Sequence, residues 1–396
     1  MAYWPIEQGK AGFETLLGLS VAGLVIASVQ SFAMVWPAAI LPVVAEDFAH
    51  PANQIAWWII ETLFAPVFPI LLAACFGAWL AALDLAPPPL GGRQWGLLGW
   101  LLPIGLFHAY LVWFGDLLVP FALAGLVVAA GARMRIASQL AIGGALVLFT
   151  VLVLLAGAAM GAIVGDSMSS AQALGFPPER IAGIEAVYRN GVLARLPANM
   201  GFALMHQLTQ IVFLGGGIAG LMLIGMAALE SGFLGLRWPP MAYALSGAVA
   251  LGLGLPLCGW SNLHLMDAGF APPAFGAAFA ARMPGALLLA YGYAALTMLA
   301  CQSGRMKQIA DIVARLGRVW LSAYLLASLV LVLVFSGLPG LAAFGQVPRL
   351  GQLLIALGLV AALLAGAGFW TRRYRLGPVE WLWLVLVTRS RQSLRA

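Results

Sequence analysis

The chain has 396 residues, of which 63% are hydrophobic and only 9% charged, against roughly a quarter charged in an ordinary soluble domain; water is excluded as its main solvent. The 20 basic and 14 acidic residues leave a formal charge of +6. The basic residues stand in short groups between apolar runs rather than on one extended face, which argues against nucleic acid and for anionic lipid headgroups as the partner.

Apolar runs near 15–36, 56–82, 95–114, 117–131, 137–164, 201–229, 240–258, 284–303, 319–336 and 351–370 each approach the roughly 20 residues that a helix needs to cross lipid. None alternates like a barrel strand, so the expected fold is all-α: a polytopic transmembrane bundle of about ten spans forming a single integral membrane domain. The first apolar stretch, Leu16 to Val44, is expected to be too long for a signal peptide, and Lys10 is outweighed by Glu7 and Glu14, so no basic n-region precedes it. With the N-terminus inside, only Arg180, Arg189, Arg195, Arg282 and Arg349 of the 20 basic residues fall on the outer side. This asymmetry predicts that both ends are cytoplasmic.

Residues 165–200 read as a long outer loop, between an N-terminal half at about 15–164 and a C-terminal half at about 201–388. After the tenth run, Val379 to Thr388 is apolar but too short to span. It is expected to lie along the interface, with Trp381 and Trp383 at headgroup level and a basic tail, 389–396, behind it. Gly216 with Gly220, and Gly161 with Gly165, form faces that allow close helix approach; such faces leave an oligomer open. Gly215, Gly217 and Gly220 also fit G-x-G-x-x-G, but no strand precedes them, so dinucleotide binding is rejected. The three cysteines, Cys75, Cys258 and Cys301, lie far apart in apolar runs and suggest neither metal ligation nor disulfides. No permanently bound cofactor is expected.

Ionisable residues inside such runs are costly to insert and mark sites of chemistry. All four histidines, His50, His108, His206 and His264, fall toward the outer side of the expected topology, accompanied by Glu46, Asp47, Glu61 and Asp116. Imidazole beside carboxylate suits general acid and base work at neutral pH. On a continuous helix His108 and Asp116 would stand about 12 Å apart; contact requires the chain to break near Gly115. A purely structural hydrogen bond would account for His108 as well, so the residues alone leave its role open.

Three segments, Gly105 to Leu123 (GLFHAYLVWFGDLLVPFAL), Leu221 to Ala227 (LMLIGMA) and Tyr374 to Trp383 (YRLGPVEWLW), resemble the YeiB-like family of bacterial multi-pass membrane proteins carrying the domain of unknown function DUF418. Looser matches at Glu14 to Phe32, Phe64 to Gly77 and Gly317 to Leu325 extend the likeness over nearly the whole chain. That family is distantly similar to transmembrane acyltransferases, which move an acyl group from a cytoplasmic donor, such as acetyl-CoA or another acyl-CoA, to an acceptor across the inner membrane. Carried over, the resemblance makes His108 the catalytic base and Asp116 its orienting partner. Gln30, Glu61, Tyr110, Trp113 and His206 would line the same cavity, and Arg318 would meet the donor.

The chain also departs from the family pattern. Leu17 stands where an arginine is usual, Ser28 and Ala323 replace asparagines, Val67 and Pro69 stand where basic residues are usual, and Leu384 replaces another arginine. Arginine is the natural partner of a donor's phosphates. Either the Arg305 to Arg318 cluster supplies that charge, or the activity is lost or changed. The alternative from a different class is a carrier or binding protein that uses the outer histidines and carboxylates to hold a small polar solute or couple proton movement.

Overall fold

A backbone surrounded by lipid must satisfy its hydrogen bonds within each segment, and the long elements of the computed structural model are all helices. It describes residues 9–85, 93–165, 177–338, 342–390 and 393–394. In chain order the helices are α1 (Lys10–Ala33), α2 (Pro51–Asp84), α3 (Gln94–Val112), α4 (Leu118–Arg133), α5 (Ile136–Gly161), α6 (Pro178–Arg189), α7 (Val192–Glu230), α8 (Pro240–Asp267), α9 (Ala274–Ser303), α10 (Lys307–Arg318), α11 (Trp320–Ser336), α12 (Arg349–Trp370) and α13 (Pro378–Thr388). Among the described residues eight of these are long and apolar enough to cross a membrane. The pair α10 and α11, bent by 80°, makes a ninth if it is one broken span. This is a multi-pass membrane protein.

The span expected at 117–131 is α4, which is helical and apolar but shorter than the other spans. The expected outer loop is also revised: α6 occupies part of it, and α7 begins at Val192, so Arg195 lies inside a helix. Residues 166–176 of that loop lie outside the described residues. The basic cluster before α11 is no loop either. It forms the amphipathic helix α10, which buries Ala314, Leu316 and Gly317 and exposes Lys307 and Asp311.

Helix α1 is the axis of the bundle, buried along most of its length and packed against α2, α9, α10, α11 and α12. Two close backbone approaches set its surroundings. A Cβ on Gly18 would stand 2.0 Å from the Val313 carbonyl oxygen, and one on Gly317 2.0 Å from that of Glu14, so α1 and α10 touch main chain to main chain. Helices α2 and α7 do the same at Gly77 and Gly225, where a Cβ would come within 1.9 Å of the Met222 and Ala74 carbonyl oxygens. Of the glycine faces expected from sequence, Gly220 does meet Gly143 of α5. Gly161 has nothing within 4 Å of its Cβ position.

Helix α13 forms as expected, but the expected exposure of Trp383 to headgroups is corrected. Trp383 is fully buried and donates its indole N–H to the Leu97 carbonyl at 2.8 Å, so it is a core residue and not a headgroup anchor. Glu380 is buried too and accepts the backbone N–H groups of Leu321 and Ser322, at 2.7 and 3.1 Å, and the Ser322 hydroxyl. These are the unpaired donors at the start of α11, where a carboxyl group complements the helix dipole. α13 therefore holds the corner at which the chain turns out of α10.

Two predictions follow from this packing. Gly77→Val forces α2 from α7 and should cost about 1–3 kcal/mol, read as a lower unfolding temperature in detergent, whereas Gly161→Ala should leave it unchanged. Burial raises the Glu380 carboxyl above its ordinary value, with the Ser322 and Leu321 donors opposing. A raised folded value means that its contribution is whole below the unfolded pKa and is lost as pH rises through the folded one. Thermal stability should fall with rising pH in the wild type, and Glu380→Gln should flatten that dependence.

Candidate functional site

At one end of the bundle α3 stops being an ordinary helix. His108–Val112 is a π-helical turn, and Trp113 is extended, with φ −153° and ψ 125°. The chain then doubles back through Gly115 and Asp116 into α4. A Cβ on Gly115 would lie 2.7 Å from Nε1 of Trp113, so the turn closes tightly over that indole. The break brings His108 and Asp116 together: Nδ1 of His108 lies 2.8 Å from Oδ1 of Asp116. The other carboxyl oxygen, Oδ2, accepts the Val119 N–H at 2.8 Å, which fixes Asp116 at the start of α4. His108 and Asp116 are 1% and 0% exposed.

With Nδ1–H donated to Asp116, a neutral imidazole keeps its lone pair on Nε2. That nitrogen is buried and has no hydrogen-bond partner, an expensive arrangement in a protein interior. Tyr324 of α11 stands beside it, with ring centroids 5.1 Å apart, and its hydroxyl accepts the Leu117 N–H at 3.2 Å. A small cavity of about 40 Å³ touches Tyr324, Trp113, Ser28 and the two neighbours of Asp116, Gly115 and Leu117. By the usual measure it admits about three water molecules.

The break is held from outside by residues that the sequence reading did not single out. Arg195 and Asn199, one turn apart on α7, are both fully buried. Asn199 donates to the Ala109 and Tyr110 carbonyls at 3.0 and 2.9 Å and accepts the Phe114 N–H at 3.0 Å. Arg195 bonds Asn199 at 3.2 Å and the Val112 carbonyl at 2.5 Å. Together they take up the main-chain groups that the end of α3 leaves unpaired. The signal is present in sequence as polar residues at 195, 199 and 207, spaced for one helix face, but Arg195 falls within the stretch 165–200 that reads as a loop. Gln207, the third, is buried with neither amide atom hydrogen-bonded.

The other expected site residues divide into groups. Trp113 is buried and stacks on Phe32 at 4.0 Å. Tyr110 is half-buried and contributes its backbone carbonyl to Asn199. His206 is half-buried, 3.2 Å from Gln210 and edge-on to Phe114 at 6.1 Å. Gln30 and Glu61 belong to a second cluster: Gln30 donates to Glu61 at 3.3 Å, and Glu61 also receives Arg282 of α9 at 2.5 Å. Arg282 reaches Asn262 at 3.2 Å, which bonds Thr62 at 2.9 Å. Glu61 lies in another π-helical turn, Ile60–Phe64, a feature common at functional positions. Arg318 is in neither group. It pairs with Glu14 at 2.8 Å, about 24 Å along α1 from Gln30.

Of the remaining histidines, His50 caps α2 by accepting the Ala52 N–H at 3.2 Å, and His264 stacks on Trp260 at 5.0 Å. Buried Arg349 pairs with half-buried Asp47, which ties α12 to the segment before α2. No group of three or more metal-ligating side chains occurs among the described residues.

Against known proteins, the family described as "Protein of unknown function (DUF418)" matches residues 228–390. The chain is 28% identical to "Uncharacterized protein YeiB" of Escherichia coli (strain K12) over 386 residues, 94% of each chain. It is also 28% identical to "Uncharacterized protein YxaH" of Bacillus subtilis (strain 168) over 99 residues, 25% of this chain and 24% of that one. No solved structure matches.

Asn199→Leu keeps the volume but strands two carbonyls and one N–H in an apolar setting, at about 1–3 kcal/mol for each unsatisfied group. The unfolding temperature should fall well below that of Thr209→Ala, which removes a bond on the exposed side of the same helix.

Proposed function

Because the chain belongs to the DUF418 family, we propose that its histidine site is that of a membrane-embedded acyltransferase-like protein, set in the inner membrane with both ends cytoplasmic. The observation that carries this reading is the buried His108–Asp116 pair with Nε2 left over. In such a dyad Nε2 removes the proton of an acceptor hydroxyl as its oxygen attacks the donor's thioester carbonyl. The new C–O bond forms, the C–S bond breaks, and the proton passes from His108 to the departing thiolate. Asp116 orients the ring and stabilises its charged form.

Two small cavities support a donor path. One of about 10 Å³ touches Phe13, Leu17 and Trp320, near the Glu14–Arg318 pair. The other, beside the dyad, touches Val21, Leu24, Ser28 and Phe32 of the same helix. The first also touches Leu72, Cys75, Phe76 and Trp79 of α2 and the second lies between α1 and α11, so a thin donor arm reaching His108 from the α10 arginines would follow α1 and open the packed stretch between them. The acceptor would approach from the histidine end, which this topology makes the outer side. Lipid with anionic headgroups is the expected surrounding partner. The Glu61–Arg282 pair, a costly charge pair within two spans, favours a second reading as a carrier of a small polar solute.

The test is incubation of purified protein with radiolabelled acetyl-CoA and a cell-envelope extract. The acyltransferase reading expects label in the envelope fraction with the wild type, and a fall of about 10²-fold or more in His108→Ala with a smaller fall in Asp116→Asn. No donor binding and no transfer in any of the three would end it. Uptake of a solute into vesicles, abolished by Glu61→Gln and indifferent to His108→Ala, would establish the carrier reading.

A further inference from the structure

The cavity beside the dyad, between α1, α11 and the turn that joins α3 to α4, carries hydrogen-bond donors that the pair itself does not use. Tyr324 of α11 packs its ring on the His108 imidazole, with centroids 5.1 Å apart, and its hydroxyl oxygen accepts the Leu117 N–H at 3.2 Å. A phenol donates as well as accepts, and among the described residues the Tyr324 hydroxyl has no acceptor. The Trp113 indole N–H has none either. Its Nε1 lies 2.7 Å from the Cβ position of Gly115, and both residues line the cavity. The two serine hydroxyls there are taken up within their own helices, Ser28 by the Val25 carbonyl at 3.4 Å and Ser328 by the Tyr324 carbonyl at 3.1 Å.

The other walls are apolar. Val21, Leu24, Val25, Phe32 and Leu331 are all buried, so the space cannot widen without parting α1 from α11. At about 40 Å³ it holds about three water-sized groups, which matches the two carbons and one oxygen of an acetyl group. Two donors without acceptors, set beside a base, suit a reaction in which negative charge develops on a carbonyl oxygen.

On the acyltransferase reading, on which this rests, we propose that the cavity is the acyl pocket of the site, selective for short acyl groups of two or three carbons, and that Tyr324 and Trp113 donate hydrogen bonds to the carbonyl oxygen of the donor thioester. When the acceptor oxygen adds to the carbonyl carbon, the C=O electron pair moves onto that oxygen, and the two donors stabilise it without giving up their protons. The pair returns as the C–S bond breaks, and His108 carries the acceptor's proton to the departing thiolate. The bond from Leu117 to Tyr324 ties this hydroxyl to the same turn that places Asp116.

Thiol release from acetyl-, propionyl- and octanoyl-CoA tests this, measured with full-length protein in nanodiscs and the envelope extract, over the extract alone. The wild type should turn over the two short donors at least about tenfold faster than octanoyl-CoA, and Leu331→Ala, which opens a wall, should narrow that ratio about tenfold. Tyr324→Phe should lower kcat for acetyl-CoA about 10²-fold with KM little changed and the pH profile of the dyad kept; Trp113→Phe should lower it less. If Tyr324→Phe does not fold, Trp113→Phe and the chain-length ratio decide. Equal rates for all three donors, or a wild-type kcat in folded Tyr324→Phe, would overturn the proposal and leave the acyltransferase reading standing. No thiol release from any donor by the wild type would remove both.

Discussion

The arrangement at the histidine end depends on one local event: α3 gives up its helix at Val112 instead of running on into α4. A continuous helix would hold His108 and Asp116 about 12 Å apart, whereas the observed turn brings them to 2.8 Å. Breaking a helix inside an apolar environment leaves carbonyls and N–H groups that lipid cannot satisfy. Arg195 and Asn199 supply the missing partners from a neighbouring helix. The guanidinium that looks out of place in α7 and the broken end of α3 compensate each other, and the dyad is the product.

The same economy of charge runs through the rest of the bundle. Glu61 is met by Arg282, Asp47 by Arg349, Glu14 by Arg318 and Asp84 by Arg133. Glu380, without a cation, is met instead by the N-terminus of α11. A buried charge without a partner would cost several kcal/mol, and among these groups the pairing links segments far apart in sequence. Each pair therefore also fixes the register between helices whose apolar faces alone would slide. Against that background Nε2 of His108 is the imidazole nitrogen among the buried polar atoms left without a partner, which also include Nε of Arg195 and both amide atoms of Gln207.

Much of the membrane architecture was legible from composition and run length, since lipid imposes a simple rule of about 20 apolar residues. The helices largely coincide with the apolar runs. The site was legible in part: His108 and Asp116 were paired once a break near Gly115 was allowed, and Gln30 with Glu61 do share a cluster. The misses have physical causes. Arg195 and Pro197 fall in the stretch read as a loop because charge and proline usually mark one, yet Asn199 and the Val112 carbonyl of α3 accept hydrogen bonds from the first, and a membrane helix tolerates the second. Trp383 looked like an interfacial anchor because a short Trp-rich segment usually is one. Only the three-dimensional fit shows it seated against α3, and only the same fit separates Arg318 from the dyad.

The chemistry at this site requires that the imidazole of His108 be held through Nδ1 by Asp116 and bare at Nε2. Solid-state NMR on protein carrying ¹⁵N-histidine and ¹³C-aspartate in lipid measures this directly, with His108→Gln identifying the signal among the four histidines. The account predicts a strong dipolar coupling between Nδ1 of His108 and the Asp116 carboxyl carbon, together with an unprotonated Nε2. A His108 ring with no nearby aspartate carbon, or one protonated at Nε2 and bare at Nδ1, would contradict it.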